Sequence, residues 1–118
     1  MAEPQVMTIK RGDTWRRTGN TVLQGDGVTP LDLSGCTLRF QVRARKTGAL
    51  QVAASTQTGE ITITDAPAGT YAFEIPAATM ASVAVGTHEM DVEITFADGS
   101  VLSSDTQYVT VLEDITRD

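Results

Sequence analysis

From Cys36 to Arg45 the chain alternates apolar and polar side chains without a break. Cys36, Leu38, Phe40, Val42 and Ala44 fall on one side, and Thr37, Arg39, Gln41, Arg43 and Arg45 on the other. A strict period of two is what a half-buried antiparallel strand requires, because successive side chains point to opposite faces of a sheet. The best partner for this strand is Thr87 to Phe96, where Met90, Val92, Ile94 and Phe96 alternate with Glu89, Asp91, Glu93 and Thr95. The two segments are therefore expected to lie near one another at the centre of a sheet.

The rest of the chain reads in the same way. Thr, Val and Ile are frequent, and turn signals recur every ten or so residues, the pattern of a sandwich or barrel. Strands are expected at Gln5 to Ile9, at Thr14 to Gln24 with a bulge or break at Gly19-Asn20, around Ala49 to Ala54, at Glu60 to Thr64, at Thr70 to Ile75, and from Val101 to about Leu112. Arg11-Gly12-Asp13, Gly25-Asp26-Gly27, Lys46-Thr47-Gly48, Asp65-Ala66-Pro67-Ala68-Gly69 and Ala97-Asp98-Gly99-Ser100 supply the turns between them. Pro76 to Val83 is the one helical piece, a turn or two long, opened by proline. The expectation is an all-β, immunoglobulin-like antiparallel β-sandwich of about 7–8 strands with one short helical turn. It is expected to form a single domain over residues 1–118 with a polar tail from about Glu113.

At 118 residues the chain is long enough to bury a core without metal or disulfide support. Cys36 is the only cysteine, so no bridge forms within the chain; in its apolar phase it reads as a small buried hydrophobe. No stretch approaches the ~20 apolar residues of a spanning helix, so no membrane partner is expected. The opening Met1-Ala2-Glu3-Pro4-Gln5 shows no signal peptide, and synthesis in the cytosol is the expectation. A formal charge of -6 argues against nucleic acid, whose phosphates call for a concentrated basic face.

A search for chemistry finds little. His88 is the only histidine and reads as a strand-edge residue; a catalytic pair with Cys36 would need the thiol out of the buried phase and a third, orienting group. One His and one Cys make no zinc site, and the row Glu89, Asp91, Glu93 lacks the tight loop of an oxygen-ligated calcium site. Arg11-Gly12-Asp13 spells an integrin-type tripeptide but reads as turn chemistry. Trp15, beside Arg16 and Arg17, reads as a core aromatic, with ligand stacking as the alternative. No catalytic residue, metal or cofactor is expected.

One pattern remains. Arg39, Arg43 and Arg45 form a basic row on one strand, and Glu89, Asp91 and Glu93 an acidic row on the other. If the strands are neighbours, opposite charges meet across the sheet, each pair contributing roughly 0.2–1 kcal/mol. The plain reading is a wet strand face with weak ion pairs. The functional reading makes these six residues an electrostatically patterned docking surface.

Taken in order, the motifs resemble a family. They are Ile9-Lys10-Arg11-Gly12-Asp13-Thr14-Trp15, then Thr29-Pro30-Leu31-Asp32-Leu33-Ser34-Gly35-Cys36 running on to Arg43, then Ile61-Thr62-Ile63-Thr64-Asp65 through Tyr71, Gly86-Thr87-His88-Glu89-Met90-Asp91-Val92-Glu93, and Val109-Thr110-Val111-Leu112 to Arg117. This set is similar to the immunoglobulin-like domain of bacteriophage and prophage tail or baseplate proteins, such as the N-terminal domain of the baseplate upper protein family, and it covers almost the entire chain. The resemblance implies a virion structural protein made in the host cytoplasm, docking onto other tail or baseplate proteins or forming a homo-oligomer, with no catalytic residues to carry over. The chain departs from the larger baseplate proteins in having no coiled-coil or receptor-binding extension, and it carries His88 where many relatives have an aromatic. A free-standing immunoglobulin-like module that binds a glycan or a bacterial surface protein is the alternative.

Overall fold

The computed structural model describes residues 6–104 and 106–115. Among these the strands are β1 (Val6–Lys10), β2 (Trp15–Thr21), β3 (Thr37–Ala44), β4 (Leu50–Ser55), β5 (Ile61–Asp65), β6 (Thr70–Ile75), β7 (Gly86–Thr95), β8 (Val101–Ser103) and β9 (Gln107–Leu112), with a single helical turn, α1 (Ala77–Met80), between β6 and β7. The expected start of the first strand at Gln5 and the end of the polar tail lie outside the described residues. No helix among those described is long and apolar enough to cross a membrane.

Two sheets form. The larger runs β1-β9-β7-β3-β4, with β8 also on β7, and the smaller runs β2-β6-β5. The chain crosses between them after β1, β2, β4 and β6, which is the Greek-key order of an immunoglobulin-like sandwich. One pairing departs from the expected antiparallel plan: β1 lies parallel to β9, Val6 opposite Tyr108 and Lys10 opposite Leu112. The expected single strand from Val101 to Leu112 is also divided. β8 covers β7 from Glu93 to Thr95, β9 covers it from Gly86 to Met90, and Ser104 bridges the gap by accepting Val92 N–H at its Oγ and donating its own N–H to the Val92 carbonyl. This division brings the count to nine strands among the described residues.

The inward phases of the strands make the core. β3 contributes Leu38, Phe40 and Val42, β7 contributes Met90, Val92 and Ile94, β9 contributes Val109 and Val111, and β6 contributes Tyr71, Phe73 and Ile75. Three aromatic rings join the sheets. Trp15 and Phe73 from the smaller sheet meet Phe40 from the larger, all edge to face, with centroids 4.9–5.8 Å apart. Such contacts add to the area that the rings already bury. Trp15 is thus a core residue, 4% exposed. Met80 and Val83 are buried as well, so the helical turn closes one end of the sandwich.

Two local devices shape the smaller sheet. The expected irregularity at Gly19-Asn20 is a bulge, with Gly19 at φ 68° and the register shifting between Arg17 and Asn20. The Asn20 amide fastens it by donating to the carbonyls of Arg17 and Tyr71 at 3.2 and 3.1 Å. In the β5–β6 turn, Gly69 has φ 69°, and a Cβ there would stand 2.6 Å from the Leu31 carbonyl and 2.8 Å from that of Val22. The β2–β3 connection therefore lies directly on this turn, and only glycine permits the approach.

Removing the central ring should open a cavity that two sheets share. Phe40→Ala is expected to lower unfolding free energy by about 3–5 kcal/mol, measured by denaturant titration.

Candidate interaction face

The register of β3 on β7 builds the outer face of the larger sheet. Arg39 stands opposite Glu93, Gln41 opposite Asp91, and Arg43 opposite Glu89. The strands expected to be central are therefore paired, and the basic and acidic rows lie side by side. Arg39 Nε donates to Glu93 Oε1 at 2.8 Å, and that hydrogen bond, with the charge behind it, holds the guanidinium above its ordinary range. Arg45 lies in the turn just past β3; its Nε is 3.4 Å from Glu89 Oε1, and its guanidinium carbon stands 5.1 Å from the centre of the Tyr108 ring.

Arg43 does something else. It stands opposite Glu89 but donates from Nε and Nη2 to Gln41 Oε1 and from Nη1 to the Gly48 carbonyl at 2.8 Å, bracing the β3–β4 turn. Asp91 is exposed, and its carboxylate has neither a hydrogen bond nor an ion pair among the described residues. Both ion pairs on the face are solvent-exposed, so each is worth at most about 0.2–1 kcal/mol. The three cations and three anions of the two rows cancel, on a chain of formal charge -6; Lys10, also outward, lies beyond them on the edge strand β1 opposite Leu112.

Around the charges lie Leu50 from β4, Tyr108 and Leu112 from β9, and Val6 from β1; Val6, Leu50 and Leu112 are exposed. Gln41, Arg43, Glu89, Asp91 and Thr106 rim a shallow depression floored by Met90, where β9 stops along β7. A second depression opens between the edge strands β1 and β2. Arg17 and Gln107 stand at its rim over Met7, Tyr71 and Phe73. Burial pushes the Tyr71 hydroxyl above its ordinary range, and the Arg17 charge offsets part of that rise.

The other candidate residues are kept apart or already committed. Ala44 pairs with His88 at one end of β3, while Cys36 precedes Thr37 at the other, so thiol and imidazole are separated by about 25 Å of strand. The Cys36 thiol is half-buried against the core near the carbonyls of Asp32 and Ser34, at 4.0 and 3.9 Å. Burial first and the Asp32 charge second push it above the ordinary thiol range, away from reactivity. His88 is not a strand-edge residue: it is 3% exposed, its Nε2 lies 2.7 Å from the Ala84 carbonyl, and its Nδ1 has no partner among the described residues. The signal was present in the sequence, since 88 is in phase with Met90, Val92 and Ile94.

Arg11 donates from Nε to the Ala81 carbonyl at 3.0 Å, and Gly12 takes φ 88°, so Arg11-Gly12-Asp13 is a turn whose arginine is engaged. No group of three or more His, Cys, Asp or Glu side chains among the described residues is placed to hold a metal. On the acidic row the carboxylates sit two residues apart, about 7 Å along the strand, and two of the three are tied to arginines.

Several carboxylates act as turn fasteners instead. Asp26 accepts Thr29 Oγ1–H at 2.5 Å and the backbone N–H groups of Val28 and Thr29 at 2.9 Å each. The Thr29 side chain first, and those N–H groups after it, lower the Asp26 pKa to about 2. Asp98 is lowered in the same way by Ser100 in the β7–β8 turn.

No protein-family model matches the chain, and no curated protein matches it. Solved structures similar in shape include CopC from Methylosinus trichosporium OB3b, at 10% identity and TM-score 0.47, covering 97% of this chain and 90% of that one. Murine CRIg is similar at 10% identity and TM-score 0.41, with 94% and 93% covered. Drosophila OTK extracellular domains 3–5 are similar at 13% identity and TM-score 0.39, over 93% of this chain and 33% of that one. The sandwich assignment rests on strand order and register, not on these likenesses.

Two outcomes follow from the geometry. A double-mutant cycle on Arg39→Ala and Glu93→Ala, read by chemical denaturation, should give a coupling of only about 0.2–1 kcal/mol. Asp26 has a depressed folded-state pKa, so its share of stability is present above the unfolded value near 4 and is lost as pH falls through about 2. Carboxyl NMR titration should place its midpoint near the lower figure, and Asp26→Asn should flatten the stability profile across that window.

Proposed function

We propose that this chain is a structural domain of a bacteriophage or prophage virion, part of the tail or baseplate, and that it works by protein–protein contact on the outer face of its larger sheet. The ordered motifs described above support the virion assignment. The observation that carries the contact surface is the pair of charge rows set in register on β3 and β7. Their ion pairs add little to folding, so a patterned pair of charge-balanced rows on an acidic chain has its value in what it meets. Arg39, Arg43, Arg45, Glu89, Asp91 and Glu93 would carry that contact, flanked by Leu50 and Tyr108. Other tail or baseplate proteins are its partners in this reading, which assigns the chain no enzymatic step and no cofactor. It places the protein in the host cytoplasm until assembly and in the particle afterwards.

Density-gradient purification of particles from the host culture, followed by immunodetection of this chain, tests the proposal. The chain should co-sediment with tails, and an Arg39→Glu, Arg43→Glu variant that still folds should be excluded from them. Absence of the wild-type chain from purified particles would overturn the virion assignment.

A further inference from the structure

We infer that the outer face of the larger sheet binds a second copy of this chain, face to face, about a two-fold axis that runs parallel to β3 and β7 and passes between them. The inference rests on reading this face as a protein contact surface and names its occupant.

The register supplies the reason. Across the sheet the outward residues fall into levels. One level runs Leu50, Arg43, Glu89, Tyr108, Val6 through β4, β3, β7, β9 and β1. The next holds Ala53, Gln41 and Asp91, and the third holds Ser55, Arg39, Glu93 and Ser103. A two-fold axis between β3 and β7 keeps each level and exchanges the strands on either side of it. Arg43 then faces the second copy's Glu89, Arg39 its Glu93, and Gln41 its Asp91. β4 falls over the second copy's β9, which sets Leu50 on its Tyr108. Each contact occurs twice, as an isologous interface demands.

Groups without an ionic partner within one copy find a complement in the other. Arg43, which turns away from its own Glu89, meets the second copy's Glu89, and the exposed Asp91 carboxylate meets the side-chain amide of the second copy's Gln41. Elsewhere two copies of a chain with formal charge -6 repel one another, while the two charge-balanced rows do not. Packed sheets cross at about 30°, which displaces neighbouring levels by only ~3–4 Å, a shift that arginine side chains can follow.

The patch is small. Four strands by three levels span about 20 × 20 Å, or ~400 Å² per copy, below the ~800 Å² of a standard interface. A weak, salt-sensitive dimer is therefore expected in solution. In a particle, where copies are held side by side, effective concentration would fill the interface.

Sedimentation velocity over a concentration series tests this on the whole chain. Wild type should dimerise at low salt and dissociate as salt is raised. Arg43→Glu and Glu89→Arg should each weaken dimerisation by at least ~10-fold, because each sets like charges together twice per dimer. An equimolar mixture of the two variants should recover a dimer, since both facing 43–89 pairs are then opposite in sign. Thermal melts confirm that the variants fold. Leu50→Asp, at an exposed position, should weaken the dimer independently of the charge rows. A wild type that stays monomeric at millimolar concentration, a dimer indifferent to these substitutions, or a mixture no better than its parts would overturn the inference. A chain found in particles but monomeric by these measures defeats the dimer alone, and a dimer absent from particles defeats only the virion assignment.

Discussion

Everything in this protein hangs on the antiparallel register of β3 against β7. It pairs Leu38 with Ile94, Phe40 with Val92 and Val42 with Met90, so the deepest layer of the larger sheet is one continuous apolar surface. The same register, by the two-residue period of a strand, sets Arg39 beside Glu93 and Gln41 beside Asp91 on the other side. A slip of one residue would bury the charges and expose the core. Core and candidate contact surface are two sides of a single pairing decision.

The sandwich closes on that sheet without covalent help. Phe40 reaches across to Trp15 and Phe73, and the edge-to-face geometry fills the space between sheets with rings whose positive edges meet negative faces. The loops are then pinned by short polar contacts. Asn20 holds the bulge, Asp26 and Asp98 hold their turns, and Gly69 lets the β2–β3 connection lie on the β5–β6 turn. The charged face contributes little to this stability. Its pattern is open to other selection, which is why a contact role is the reading that it supports.

Much of this is legible in the sequence. The alternation at 36–45 and 87–96 identifies the central strands and the six charged residues of the face, and the alternation at 70–75 identifies the inward Tyr71, Phe73 and Ile75. Gly19-Asn20 announced its bulge. His88 was legible too, because its phase matches Met90, but its polarity suggested an edge; inside the sheet, the Ala84 carbonyl satisfies one ring nitrogen and makes burial tolerable. Arg43 was readable as one of a row, but not as the brace of the β3–β4 turn, since that depends on where the Gly48 carbonyl comes to rest.

By itself the sequence determined what strand periodicity and turn chemistry control: an all-β chain, which side of each strand faces inward, and where most turns fall. Those are local properties, carried by residues within a few positions of one another. The tertiary structure alone decided the parallel seat of β1 on β9, the division of the last segment into β8 and β9, and which arginines pair with which acids. Each of these joins residues far apart in the chain, and the winner among competing partners is set by the packing of the whole sandwich. No short window of residues contains that information.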